Sequence, residues 1–262
     1  LEIIIHTYGR ATLAQQHTLQ ALLADGIKPW LCVQDREKDK YEWYEGPLIV
    51  LPPHITTLAP TRDWLIHEWP EGDNEVVFLD DDLAFFVRRD DDRTKFRKLV
   101  KGDLTAMFDY MRKCLSPDNE GYPHVGIAPR EGGNRLTDHS YPNTRLMRVL
   151  GYRRDYLRHH KITFAPMVVM EDFSVNLQVL RSGEDSLMLN NWCSNQVGGS
   201  DAPGGCSTYR TSQVQNDSAH LLAKIHAPFV RVVEKTTKGA WGGGTRTDVV
   251  VSWKAARRSA DK

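Results

Sequence analysis

Short apolar runs alternate along this chain with stretches in which apolar residues recur every three or four positions. The first period predicts strands and the second predicts helices. "EIII" at 2 to 5 is a strand that ends in the turn-like "HTYGR". Thr12 with Gln15 three residues on forms a capping box, Leu13, Leu19, Leu22 and Leu23 supply a helical face, and Gly26 closes it. "PWLCV" at 29 to 33 and "PLIVLPP" at 47 to 53 are the next strands, the latter stopped by its prolines. The alternation goes on with a helix around "TRDWLIHEW", the strand "EVVFL", the helix "LTAMFDYMRKCL" and the strand "HVGIA". A loop rich in Gly, Asn and Pro covers 129 to 144, and "APMVVM" at 165 to 170 reads as another strand. The helix "EDFSVNLQVLRSG" follows, with acidic residues at its start and Gly183 at its end, then the strand "SLMLN". A Gly-rich segment at 196 to 207 leads to a helix at 209 to 224, and "FVRVV" and "VVVSW" are the last strands. Strands and helices in turn imply an α/β fold with a mostly parallel central sheet flanked by helices. Such sheets bind ligands beyond the carboxyl ends of their strands. No internal repeat or linker interrupts the pattern, so 1 to 262 is expected to form a single domain.

A chain of 262 residues with 40% hydrophobic and 26% charged residues buries a core of its own without staples. No apolar run approaches a membrane span, and "LEIIIHTYGR" lacks the basic start of a signal peptide, so no membrane partner and a cytoplasmic location are expected. Cys32, Cys114, Cys193 and Cys206 form no CxxC pair, which argues for reduced thiols. Formal net charge is zero, but the charges are segregated. Residues 63 to 92 hold eleven Asp and Glu against Arg88 and Arg89, while 143 to 161 hold Arg145, Arg148, Arg153, Arg154, Arg158 and Lys161 against Asp155. The basic stretch fits either a polyanion-binding surface or a solvated face.

The chemistry concentrates in "EVVFLDDDLAFF", where Asp80, Asp81 and Asp82 end a buried strand. Adjacent carboxylates repel unless a cation compensates them. An oxygen-rich strand end suits Mg²⁺ or Mn²⁺ bridging to substrate phosphates, and a solvated turn is the plainer alternative. Phosphohydrolases of the haloacid type want a hydroxyl residue after DxD, and "DDDLA" has none there. Nucleotide-sugar transferases of the GT-A fold use DxD to hold a metal on the donor diphosphate. Glu171 and Asp172, after "PMVVM", form a second acidic pair at a helix start. They are candidates for the base that takes a proton from an acceptor hydroxyl, or else plain helix-capping carboxylates.

Together "IIIHTYGRATLAQQHTLQALLADGI", "TRDW", "VVFLDDDLAF", "VVMEDFSVNLQVLRSG", "GGCSTYRT" and "VSWKAA" resemble the TET/JBP-associated glycosyltransferases. These are GT-A enzymes that include the base J glucosyltransferase and phage enzymes acting on 5-hydroxymethylpyrimidines in DNA. The resemblance implies a Rossmann-like donor-nucleotide half over 1 to 82 and an acceptor half over 83 to 262. It implies a UDP-sugar donor, Mn²⁺ or Mg²⁺, inversion, and 5hmC or 5hmU in DNA as acceptor. Thr7, Tyr8 and Arg10 would contact the uridine diphosphate, Gln34 and Asp35 the base or ribose, and Arg62 and Asp63 the ribose or sugar. Asp80 and Asp82 would be the DxD proper, with Asp81 among the donor contacts. His226 would join the metal, with His220 second, although either could be a helix-end histidine. Asp172 would be the base and Glu171 its helper, while Arg145, Arg148, Arg153, Arg154 and Arg158 would hold DNA phosphates. The Gly-rich loop at 198 to 205, with Ser207, Tyr209 and Arg210, could close over the substrates, and Trp192, Trp241 or Tyr141 could fill the gap left by a flipped base. A glycan, lipid or small-molecule acceptor, or a nucleotide-binding module without turnover, are the alternatives.

Overall fold

A computed structural model of the chain describes residues 1–132, 135–198, 204–237 and 244–261. In chain order the strands are β1 (Glu2–His6), β2 (Trp30–Gln34), β3 (Leu48–Leu51), β4 (Glu75–Asp80), β5 (Leu83–Arg88), β6 (Phe96–Lys98), β7 (His124–Pro129), β8 (Ser140–Pro142), β9 (Val149–Arg153), β10 (Ser186–Gln196), β11 (Val230–Thr237) and β12 (Gly244–Val251). The helices are α1 (His17–Ala24), α2 (Leu58–His67), α3 (Asp103–Leu115), α4 (Arg154–His159), α5 (Glu171–Arg181), α6 (Ser212–Ile225) and α7 (Trp253–Arg258).

β4 shows why the strands read as unbroken apolar runs. Successive side chains point to opposite faces. Val76 and Phe78 enter one core cluster with Leu65 and Ile66 of α2, Leu157 of α4, and Val175 and Val179 of α5. Val77 and Leu79 enter another, with Leu19 and Leu22 of α1 and Met107, Met111 and Leu115 of α3. Both faces of the sheet are therefore covered, as a largely parallel sheet requires. Removing the buried ring of Phe78 would cost about 3–5 kcal/mol in transfer and cavity terms.

Ten strands form the central sheet in the order β3-β2-β1-β4-β9-β7-β10-β5-β6, with β8 paired to β10. β3, β2, β1, β4, β7, β10 and β6 run one way, and β9, β5 and β8 run against them. β4 and β5 follow one another in sequence without pairing: the chain turns through Asp81 and Asp82 and enters a strand that pairs with β10.

Several expectations are corrected. "APMVVM" is a loop, because its polar groups go elsewhere: the amides of Phe164 and Ala165 donate to Asp63 at 2.7 and 2.9 Å, while Met167, Val169 and Met170 pack into a third cluster. The basic stretch contains β9, a strand between β4 and β7, rather than a continuous polar surface. "FVRVV" and "VVVSW" contribute to a separate antiparallel hairpin, β11–β12, and Trp253 opens α7. The capping box at Thr12 and Gln15 is present, on a short 3-10 turn ahead of α1. Among the described residues no helix is long and apolar enough to cross a membrane.

Candidate active site

The carboxyl ends of β1, β2 and β4 open into a cleft of roughly 620 Å³, lined also by the start of α5, the segment 204–215 and β12. The acidic turn lies at its floor. Thr18 of α1 clamps the backbone there: its hydroxyl donates to the carbonyl of Asp80 (2.6 Å) and accepts from the amide of Leu83 (2.9 Å), while its own amide donates to the carbonyl of Asp81 (3.1 Å).

Two guanidinium groups supply the compensating cations. Arg10, after β1, pairs with Oδ1 of Asp81 and stands 3.1 Å from Oδ2 of Asp82, which also accepts from Gln196 at 3.0 Å. Arg62 of α2, buried at 2% exposure, stands 3.6 Å from Oδ1 of Asp80 and donates to Oε1 of Glu171 at 2.8 Å. The compensation is incomplete. Burial and then its acidic neighbours push Asp80 up to about 7 against the pull of Arg62, and burial pushes Asp81 up to about 6 against the pull of Arg10. Oδ2 of Asp81 and Oδ1 of Asp82 are buried without a hydrogen-bond partner among the described residues. Carboxylate oxygens, with the Asp80 side chain 32% exposed, are the donor type that hard divalent cations take. Among the described residues no three His, Cys, Asp or Glu side chains form a cage by themselves.

Met170, the residue before α5, has φ 65°, and Arg148, whose carbonyl accepts from the amide of Asp80 (3.2 Å), has φ 66°. Bulky residues in the left-handed region cost of order 1–3 kcal/mol each and gather at sites where geometry is imposed. They aim Glu171 and Asp172 into the cleft from one side and Arg148 from the other. Glu171 is raised by burial against the pull of Arg62. Asp172 is more open and lies 3.9 Å from Arg145, whose guanidinium stacks 4.1 Å over the Phe173 ring. Arg148 is held by Glu131 at 3.0 and 3.1 Å.

After β1, Gln16 donates to the hydroxyl of Thr7 (2.6 Å) and Arg36 to that of Tyr8 (2.8 Å). Gln34 donates to the carbonyl of Thr56 at 2.8 Å. The segment 204–205 lies directly on this loop. The amide of Gly205 donates to the carbonyl of Tyr8 (2.8 Å), and a Cβ on Gly204, at φ +91°, would stand 2.9 Å from the same oxygen. Only glycine fits both the angle and the approach.

The sequence model of the TET-associated glycosyltransferases matches residues 1–205. The chain belongs to this family. No curated protein sequence matches it. Among solved structures it is similar to GalNAc-T7 with UDP, GalNAc and Mn²⁺ (11% identity, TM-score 0.46, 76% of this chain and 44% of that one). It is also similar to apo GlyE of Streptococcus pneumoniae TIGR4 (16%, 0.40, 71% and 44%) and to a CMP:2-keto-3-deoxy-manno-octonic acid synthetase with CTP (13%, 0.43, 72% and 88%).

In this glycosyltransferase Thr7, Tyr8, Arg10, Gln34, Arg62, Asp80, Asp81, Asp82, Arg145, Arg148, Glu171 and Asp172 all line the one cleft. Others do not reach it. Asp35 pairs with Lys38 at 2.9 Å on the surface. Asp63 spends both oxygens on Thr163, Phe164 and Ala165, so its position is structural. His226 is fully buried among the third cluster's elements, with Nε2 3.0 Å from the Ser174 hydroxyl and its pKa lowered to about 4 by burial, so it stands apart from the acidic turn. Arg153, Arg154 and Arg158 lie at the end of the sheet opposite the cleft, where β9 finishes beside the start of β4. β9 pairs Arg153 with Glu75, the first residue of β4, about 17 Å from Asp80 at roughly 3.4 Å per residue. Arg154 is buried and donates to the carbonyls of Ile66, Trp69 and Glu71, and Arg158 donates to Ile66. The five arginines are thus not one surface. Trp192 donates to the carbonyl of Asp103 (3.1 Å) and Tyr141 accepts from the amide of Asp138 (3.0 Å), neither at the cleft, while Trp241 and 199–203 lie outside the described residues. Sequence reasoning missed Glu131, Gln196, Arg246 and Asp248. The last two alternate in "RTD" on one strand, a signal visible only once the hairpin is known to face the cleft.

Proposed function

We propose that this glycosyltransferase moves a sugar from a UDP-sugar to the hydroxymethyl oxygen of a 5-hydroxymethylpyrimidine, 5hmC or 5hmU, in DNA, with inversion at the anomeric carbon. The observation that carries the reading is a partly open carboxylate, Asp172, facing an incompletely compensated acidic turn within one cleft. Asp172 takes the hydroxymethyl proton, the freed oxygen bonds to the anomeric carbon, and the bond to the diphosphate breaks with its electron pair leaving on UDP. Glu171, fixed by Arg62, orients the sugar. Thr7, Tyr8, Arg10 and Gln34 receive the nucleotide, and Arg145 and Arg148 offer charge to phosphates beside the acceptor. Mn²⁺ or Mg²⁺, held by Asp80 and Asp82, would supply charge neutralisation to the departing diphosphate.

Hydroxymethylated and unmodified DNA incubated with a panel of nucleotide sugars and Mn²⁺, then digested to nucleosides and weighed, tests this directly. A single sugar mass on the hydroxymethylated nucleoside alone is expected. Transfer only to glycans, lipids or small molecules would keep the enzyme class and remove the DNA acceptor.

A further inference from the structure

One wall of the cleft comes from chain that the family match, ending at 205, does not reach. α6, the β11–β12 hairpin and α7 are tied to α5 by the third core cluster: Phe173, Leu177 and Leu180 of α5 meet Leu222, Val230, Val249 and Ala256. Because α5 begins with Glu171 and Asp172, this packing sets the hairpin at a fixed position relative to the candidate base.

The hairpin brings Arg246 and Asp248 to the cleft. Asp248 is 8% exposed and accepts from Lys235 (2.9 Å), Arg246 (3.0 Å) and the amide of Val249 (2.8 Å). Two cations on one carboxylate leave net positive charge, and Nε of Arg246 is buried without a partner among the described residues. From α5's side Arg145 stands over Phe173, close enough to Asp172 and Asp248 to feel both charges. Arg246 lines the cleft with donors left over from its pairing with Asp248, and a guanidinium so placed matches a phosphate and offers little to an uncharged sugar or lipid tail.

We propose that the C-terminal helix–hairpin unit selects the acceptor, with Arg246, oriented by Asp248 and joined by Arg145, binding a phosphodiester next to the reacting hydroxyl. This rests on the reading above for the position of that hydroxyl at Asp172. Donor chemistry then belongs to the family-matched part of the chain, and acceptor choice to the added wall.

The test uses the whole chain and a labelled oligonucleotide containing 5-hydroxymethylcytosine. Arg246→Gln should weaken binding about tenfold, as loss of a charge-assisted bond to phosphate does, and flatten the slope of log affinity on log salt by about one. Arg246→Lys should restore the salt slope but only part of the affinity, because an ammonium keeps the charge without the planar donors, and Arg153→Gln, at the other end of the strands, should leave it at the wild-type value. In turnover, the preference for hydroxymethylcytidine monophosphate over the nucleoside should fall about tenfold in Arg246→Gln, by the same bond. Wild-type binding and preference in Arg246→Gln, or an equal loss in Arg153→Gln, would overturn the proposal. The two readings fail separately. Binding through Arg246 without sugar transfer removes the hydroxymethylpyrimidine acceptor and keeps the phosphate wall, whereas DNA glycosylation indifferent to Arg246 does the reverse.

Discussion

Arg62 and Glu171, far apart in sequence, form an ion pair of 2.8 Å beneath the cleft, and the same guanidinium stands 3.6 Å from Asp80. One buried cation therefore joins the acidic turn to the acidic start of α5. Removing one partner of such a pair strands a charge, at a cost of about 3–5 kcal/mol. Arg62→Met should lose stability of that order in urea denaturation, and Glu171→Gln added to it should restore part of the loss, because the stranded carboxylate is gone. Strictly additive losses would show that the two side chains are not coupled.

The acidic turn divides into positions that can be tested cleanly and positions that cannot. Asp80 has a side chain 32% exposed to the cleft, whereas Asp81 and Asp82 are buried against Arg10. Asp80→Asn should abolish stimulation by Mn²⁺ while leaving the unfolding midpoint near or above wild type, since a crowded charge is removed. Asp82→Ala should in addition destabilise the fold, because Arg10 loses a buried counter-ion. Equal turnover of the wild type in EDTA and in Mn²⁺ would remove the metal from the mechanism.

The sheet was legible because strands covered on both faces are apolar throughout, as in "EVVFL", and because α3 buries Leu104, Met107, Phe108 and Met111 at helical spacing. β9 was not, since "VLGYR" sits inside a basic stretch and a composition argument averages a buried strand with its charged flanks. The same averaging hid Arg154, which is buried and donates to carbonyls of the segment after α2. Periodicity also could not separate the buried loop 165–170 from a strand, because what decides is where its amides find acceptors. The carboxylates of the cleft are visible in the sequence as a crowd of like charges, but nothing local marks Arg10 and Arg62 as their partners, since pairing across such sequence distances leaves no local signature.

Buried histidines set an acid limit on stability. His124, stacked 4.2 Å from Tyr152 and with Nδ1 2.9 Å from the carbonyl of Gly151, is lowered to about 4 by burial, as is His226. A base depressed in the folded state binds its proton more readily when unfolded, so its contribution is complete above about pH 6.5 and is lost as pH falls toward 4. Each group contributes a slope of up to ~1.4 kcal/mol per pH unit in that window. His124→Gln should unfold more easily at pH 7 yet show a flatter decline between pH 6.5 and 4. A decline as steep as wild type would place the acid sensitivity elsewhere.

The proposed mechanism turns on the difference between two adjacent carboxylates. Glu171 is buried, engaged by Arg62 and raised by burial, so it is suited to holding a substrate hydroxyl and poorly placed to approach one freely. Asp172 is the more open of the two, and its near cation, Arg145, stands at 3.9 Å, outside hydrogen-bonding distance, leaving its oxygens available. A hydroxymethyl oxygen attacks an anomeric carbon only as its proton leaves, and loss of a general base typically costs on the order of a hundredfold to ten-thousandfold in rate. Asp172→Asn should fall by that factor in kcat while binding UDP-sugar with wild-type affinity in calorimetry, because a general base acts on the acceptor hydroxyl and not on the nucleotide. Glu171→Gln should instead raise KM for the sugar nucleotide together with a smaller loss in kcat. If the product keeps the donor's anomeric configuration, or if Asp172→Asn turns over near normally, the base assignment fails and the pair returns to helix capping and donor binding.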